Sequence, residues 1–154
     1  MKVKAIVLTM LLCFVAVAVC YASDVQMGTW KLNEAKSKLA PGANKNATVV
    51  YAPAGDNVKV TVDGVTSDGK PAHNEWTGKF DGKFYPVTGD PTSDERSYKT
   101  IDSHTLALTT QKAGKVVATG RIVVSHDGKT RTVTTTGLDA KGTKMKSVGV
   151  YDKQ

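Results

Sequence analysis

The sequence predicts an all-β fold, arranged as an antiparallel meander of short strands. Residues 23–154 contain 18 threonines, 15 valines and 2 isoleucines but only 5 leucines. This bias favours strands, because branched side chains pack well on a pleated sheet and lose rotamer freedom in a helix. Hairpin signals recur, mostly 8 to 14 residues apart: Asp63-Gly64, Asp68-Gly69, Asp81-Gly82, Gly89-Asp90, Ala113-Gly114, Asp127-Gly128 and Lys141-Gly142.

Between these turns, apolar and polar residues often alternate, which indicates strands with one buried and one exposed face. Val58, Val60 and Val62 show the pattern clearly, and Trp76 and Phe80 share a face in the same way. We predict ten strands, near residues 28–32, 47–53, 57–63, 72–80, 83–88, 95–101, 105–112, 115–125, 130–137 and 144–151. Because no helical segments separate them, a parallel βαβ fold is excluded.

One short helical piece is predicted between the first two strands. Asn33 can cap a single turn that continues to Leu39, and Pro41-Gly42 ends it. No low-complexity linker divides the chain, so the sequence predicts one folded domain.

The N-terminal segment has the three parts of a secretory signal peptide. Lys2 and Lys4 provide positive charge, residues 5–19 are uncharged and apolar, and Cys20-Tyr21-Ala22 supplies small residues before a cleavage point. We predict a signal peptide at 1–22, a single domain at 23–154, and export to the periplasm or the medium. The alternatives are an uncleaved membrane anchor and a lipid anchor through Cys20. Val19 disfavours the lipid anchor, because the residue just before a lipidated cysteine is normally small. After cleavage no transmembrane span is expected.

Cleavage would leave a basic domain without cysteine. The full chain carries 21 Lys+Arg against 14 Asp+Glu, and both cysteines (Cys13 and Cys20) lie in the predicted signal. Disulfides, thiol catalysis and cysteine-based metal sites are therefore excluded from residues 23–154. The lysines are dispersed and aromatic residues are few, a pattern that disfavours nucleic-acid binding. An anionic polymer of the cell envelope is the alternative partner for the basic surface.

No catalytic constellation is evident, so we predict that the protein is not an enzyme and needs no cofactor or metal. The three histidines, His73, His104 and His126, have no ligand spacing. Ser125-His126-Asp127 places three triad residue types in a row, and consecutive residues cannot form the hydrogen-bonded relay of a triad. No nucleophile elbow, P-loop or dinucleotide fingerprint occurs.

Gly28-Thr29-Trp30 at the start of the first strand resembles the G-x-W motif of lipocalin-like (calycin) barrels. The longer string GTWKLNEAKSKL is similar to small exported bacterial proteins of that type. The resemblance implies that Trp30 packs across one end of a barrel and that an arginine from a late strand covers its ring. Arg121 or Arg131 can take that place, and we select Arg121 as a structural residue beside Gly28 and Trp30.

Closure of the sheet has an independent physical reason. A meander of 8–10 strands has two exposed edges, and pairing the first strand with the last removes both. The alternative is a β-sandwich with open edges and a filled interior.

A barrel of this size can enclose one small ligand. We therefore expect a monomeric, non-catalytic protein that binds a small apolar or amphipathic molecule, with Trp76, Phe80 and Tyr98 as candidate ligand-binding residues. Alternatively, these residues only fill the core, and the protein is a structural or interaction module of the cell envelope.

Overall fold

The computed structural model describes residues 24–138 and 142–154, which form ten strands and one short 3₁₀ turn. The strands are β1 (Gly28–Leu32), β2 (Lys45–Ala54), β3 (Asn57–Val65), β4 (Pro71–Gly78), β5 (Asp81–Thr88), β6 (Glu95–Thr100), β7 (Thr105–Lys112), β8 (Lys115–Val124), β9 (Thr130–Leu138) and β10 (Lys144–Lys153). The predicted strands are confirmed, with ends that differ by a few residues. The predicted signal peptide, including Cys20, lies outside the described residues.

All strands pair antiparallel with their neighbours in sequence, and β1 pairs with β10 to close a barrel. The closing register places Trp30 opposite Lys153 and Leu32 opposite Tyr151. The predicted up-and-down barrel is thus confirmed, and the β-sandwich is wrong because the sheet closes on itself through β1 and β10. No helix in the described part of the chain is long and apolar enough to cross a membrane.

The helical piece predicted from Asn33 to Leu39 is shorter than expected. A 3₁₀ turn covers only Glu34–Lys36, and the Asn33 side chain accepts a hydrogen bond from the Lys36 backbone N–H at 3.2 Å, as a cap does. Lys38 already forms an isolated bridge with Val148 of β10, so the chain returns to extended geometry after one turn. This segment lies against the closing strand pair.

A bulge in β2 bends the strand at one end of the barrel. The register shifts between Asn46 and Thr48, which leaves Ala47 as an extra residue. Gly64 of β3 lies opposite the bulge, and a Cβ on it would come within 1.9 Å of the Lys45 carbonyl oxygen. Only glycine therefore permits this close approach, which brings Asn46 to a cavity at that end of the barrel.

Candidate functional site

One end of the barrel is sealed by Trp30 and the segment that precedes it. Trp30 is fully buried, and its Nε1–H donates to the Gln26 carbonyl oxygen at 2.9 Å. The Gln26 side chain is buried as well, and its Nε2 donates across the barrel end to the His104 carbonyl oxygen at 3.1 Å. Gly28 has a φ of +106°, a conformation that L side chains rarely adopt, and this lets the segment turn into β1.

The arginine that covers the Trp30 ring is Arg131 of β9, so our choice of Arg121 is wrong. The Arg131 guanidinium carbon lies 5.0 Å from the ring centre of Trp30, and Tyr51 and Tyr151 hold it at 4.9 and 5.0 Å. Arg121 is exposed on the outer face of β8. Arg121 is three positions from the inward-facing Val124, and an odd separation along a strand puts the two side chains on opposite faces.

The opposite end of the barrel opens into a cavity of about 470 Å³, which we call the mouth cavity. Its lining combines amides, hydroxyls, one ion pair and small apolar groups: Gly42, Ala43, Asn44, Asn46, Asn74, Asp90, Thr92, Arg96, Thr110, Val117, Ala118, Gly137 and Leu138. A volume in this range suits a small molecule.

A second, smaller cavity of about 70 Å³ lies between the mouth cavity and the sealed end, and we call it the inner chamber. It shares Asn46 and Arg96 with the mouth cavity, and its far side is formed by residues that include Arg131 and Tyr151. The remaining wall consists of Val49, Tyr51, Val62, Tyr98, Leu108, Ile122 and Val133. Two arginines and three tyrosines therefore surround a space the size of a small polar group.

Arg96 stands where the two cavities meet, and polar groups of the mouth hold it. Its Nη2 donates to Asn74 Oδ1 at 3.2 Å and forms an ion pair with Asp90 Oδ2 at 3.3 Å. Burial acts to raise the pKa of Asp90, but hydrogen bonds from Thr92 and Ser93 and the charge of Arg96 hold this pKa below its usual value. Asp90 therefore carries its negative charge at neutral pH, and it is committed to Arg96.

Replacement of Asp90 by asparagine tests this pair through the pH dependence of stability. A carboxylate with a lowered pKa in the folded state stabilises the fold above its unfolded pKa, and the gain disappears as pH falls through the folded pKa. We expect the variant to be less stable than the wild type by about 2 kcal/mol at pH 7, the scale of a hydrogen bond to a charged group. Urea denaturation from pH 7 down to about pH 2.5 should show the two proteins converging, and a constant difference would contradict the ion-pair account.

Trp76, Phe80 and Tyr98 come together in an aromatic cluster beside the inner chamber. The Trp76 ring centre is 4.7 Å from that of Tyr98 and 6.4 Å from that of Phe80, and the Trp76 Nε1–H donates to the Arg96 carbonyl oxygen at 2.9 Å. Tyr98 lines the inner chamber. Trp76 and Phe80 are absent from the walls of both cavities and pack behind Tyr98.

The histidines lie away from both cavities. His73 is exposed on β4, where its Nδ1 is 2.6 Å from Asp63 Oδ1. His104 and His126 have ring centres 5.1 Å apart, a proximity that their sequence spacing does not predict. Within residues 24–138 and 142–154, no group of three or more histidine, cysteine or acidic side chains is arranged to hold a metal ion.

Sequence reasoning missed the polar side chains of the open end, namely Arg96, Asn46, Asn74 and Asp90. One signal was available for Arg96, which is two residues before Tyr98 and so must share its inward face. For Asn46 no such signal exists, because the bulge at Ala47 changes the alternation on which the assignment depends.

No family model and no curated protein matches this chain. Among solved structures, it is similar to EF1p2_mFAP2b bound to DFHBI, with 12% identity, a TM-score of 0.48, and coverage of 86% of this chain and 97% of that one. It is also similar to a redesigned β barrel, mFAP1, bound to DFHBI, with 16% identity, a TM-score of 0.44, and coverage of 84% and 95%. A fluorescence-activating β barrel designed de novo has 12% identity, a TM-score of 0.40, and coverage of 83% and 93%.

Proposed function

We propose that this protein is an exported, non-catalytic binding protein that holds one small amphipathic molecule in its barrel, with the open end as the entrance. The observation that carries the proposal is the mouth cavity, whose volume of about 470 Å³ is typical of sites for small molecules. Trp30 and Gln26 seal the opposite end, so a ligand would enter and leave past Asn44, Asn74 and Ala118.

The lining favours an amphipathic ligand over a purely apolar one. Amide and hydroxyl groups of Asn44, Asn74 and Thr110 offer hydrogen bonds, whereas Val117 and Ala118 offer apolar contact. A purely apolar molecule would displace water from these groups and leave their remaining donors and acceptors unmet, at a cost in free energy. Export is supported by the composition of residues 1–22, and the absence of a catalytic constellation in the sequence supports a binding role.

Native mass spectrometry of the protein purified from the envelope fraction of its host tests this proposal. We expect a monomer that begins at Ser23, after removal of the predicted signal, and retains one small molecule per chain. The same spectrum would show lipid on Cys20 if the anchor alternative held. A bare chain after gentle purification would contradict the proposal and favour the envelope-interaction module.

A further inference from the structure

Arg131 is a buried cation whose hydrogen-bonding capacity is not met. Its residue is 1% exposed, and its Nε and Nη1 atoms have no hydrogen-bond partner among the described residues. Three aromatic rings surround the guanidinium and stabilise its charge through their π faces. Aromatic faces do not replace the hydrogen bonds to water that are lost on burial, so the two N–H groups still lack an acceptor.

No negative charge of the described residues faces Arg131 inside the barrel. The residues that line the inner chamber include no carboxylate, and their other charged member is a second cation, Arg96. Burial raises the pKa of Tyr51 well above its usual value, even though the nearby charges of Arg131 and Arg96 act in the opposite direction. Burial likewise raises the pKa of Tyr151. These phenols stay neutral and cannot serve as counter-ions.

Arg96 has a counter-ion, Asp90, but this carboxylate lies on the mouth-cavity side of the guanidinium. Asp90 contacts Arg96 from the mouth cavity, and it also accepts hydrogen bonds from Ser93 Oγ at 2.7 Å and the Thr92 backbone N–H at 2.8 Å. Asp90 is therefore fixed at the mouth and is not among the residues that line the inner chamber. The wall of the inner chamber thus carries two cations, Arg131 and Arg96. The negative charge of Asp90 lies outside the chamber, beyond Arg96.

The size of the inner chamber restricts what can balance this charge. A water molecule takes up about 30 Å³ in the liquid, so a space of about 70 Å³ has room for a carboxylate-sized group. The Tyr98 hydroxyl, on the same wall, accepts a hydrogen bond from Arg96 Nη1 at 3.5 Å and has one proton of its own to donate. A buried charge without a partner is strongly unfavourable, and a bound anion would remove that penalty.

We propose that the inner chamber binds one compact anion, of carboxylate or nitrate size, through Arg131, Arg96 and the Tyr98 hydroxyl. The anion is either free or the acid group of a larger molecule whose remainder fills the mouth cavity. In the second case the inference rests on the proposed function and names its ligand class, an amphipathic acid.

Isothermal titration calorimetry of the recombinant protein tests this assignment with five probes: nitrate, acetate, hexanoate and the neutral amides acetamide and hexanamide. We expect acetate and nitrate to bind at one site per chain, and acetamide to bind at least about tenfold more weakly, because it lacks the charge. If hexanoate binds at least about tenfold more tightly than acetate, the anion is identified as the head group of a larger acid. Equal affinities of hexanoate and acetate would identify a free anion.

The matched variant is Arg131→Met, which keeps an unbranched apolar stem in place of the cation. We expect it to lose acetate and nitrate binding by at least about tenfold. Because this variant also changes the packing at the barrel end, Tyr98→Phe provides a second measurement: it keeps the ring, removes one hydroxyl from the chamber wall, and should weaken acetate binding about fivefold. Absence of anion binding to the wild type, or equal binding to Arg131→Met, would overturn the assignment.

The two proposals fail in different ways. A neutral molecule retained by the host-purified chain, together with no anion binding by the recombinant protein, would leave the proposed function in place and overturn the anion site. A bare host-purified chain together with saturable acetate binding would overturn the proposed function and support the site for a free anion.

Discussion

Replacement of Trp30 by alanine is expected to lower the free energy of unfolding by about 4 kcal/mol, the cost of truncating a large buried aromatic side chain. Trp30 has no exposed surface, and its removal leaves a cavity at the sealed end of the barrel. The Gln26 carbonyl also loses its donor, and Arg131 loses one of the three rings that stabilise it. Guanidinium denaturation, monitored by far-UV circular dichroism, measures the change.

Trp30→Phe is the matched control for this substitution. It keeps an aromatic face beneath Arg131 but removes the Nε1–H donor, so we expect a loss of about 1–2 kcal/mol. A loss below about 1 kcal/mol for Trp30→Ala would contradict the role of Trp30 as the seal of the barrel. Since a domain of this kind has a total stability of about 5–15 kcal/mol, the alanine substitution is expected to remove between about a quarter and four-fifths of it.

Replacement of Trp76 by alanine is expected to cost a similar amount, about 3–5 kcal/mol. Trp76 is 1% exposed, packs edge-on against Tyr98 and Tyr85, and donates a hydrogen bond to the Arg96 backbone. Because its ring lies outside the walls of both cavities, the substitution should act first on stability.

Denaturation of Trp76→Ala and Trp76→Phe separates the two roles predicted for this residue. If Trp76 fills the core, the alanine variant loses several kcal/mol and the phenylalanine variant about half of that amount. If Trp76 instead contacts the ligand directly, the variants keep most of their stability and lose the molecule retained by the host-purified protein. We expect the first pattern for Trp76 and also for Phe80, which stacks on it.

The sequence was sufficient to predict the strands because local signals determine them. Alternation in stretches such as Val58, Val60 and Val62, with glycine turns between them, specifies both the strands and their buried face. Closure followed from the cost of leaving two strand edges open. The position of Trp30 at one barrel end followed from a resemblance of only three residues, and the structure agrees with it.

The candidate site was much harder to predict, because it depends on register and on long-range contacts. The choice between Arg121 and Arg131 requires the phase of β8 and β9 relative to the barrel interior, which a single turn of different length would reverse. The inner chamber brings together Tyr51, Arg96 and Arg131 from three separate strands. No spacing in the sequence predicts that these three residues lie together, and the bulge beside Asn46 further alters the local alternation of inward and outward side chains.

The central claim is that a small molecule occupies the mouth cavity, and a substitution that fills this cavity tests it most directly. Ala118 lies on the cavity wall in β8, whereas Ala107 of β7 faces outward between Lys99 and Arg121, both of which are exposed. Ala118→Phe and Ala107→Phe therefore add the same bulk to adjacent strands on opposite faces. Native mass spectrometry of both variants, purified from the host envelope fraction, should show a bare Ala118→Phe chain and a loaded Ala107→Phe chain. Retention of the molecule by both variants would contradict the claim.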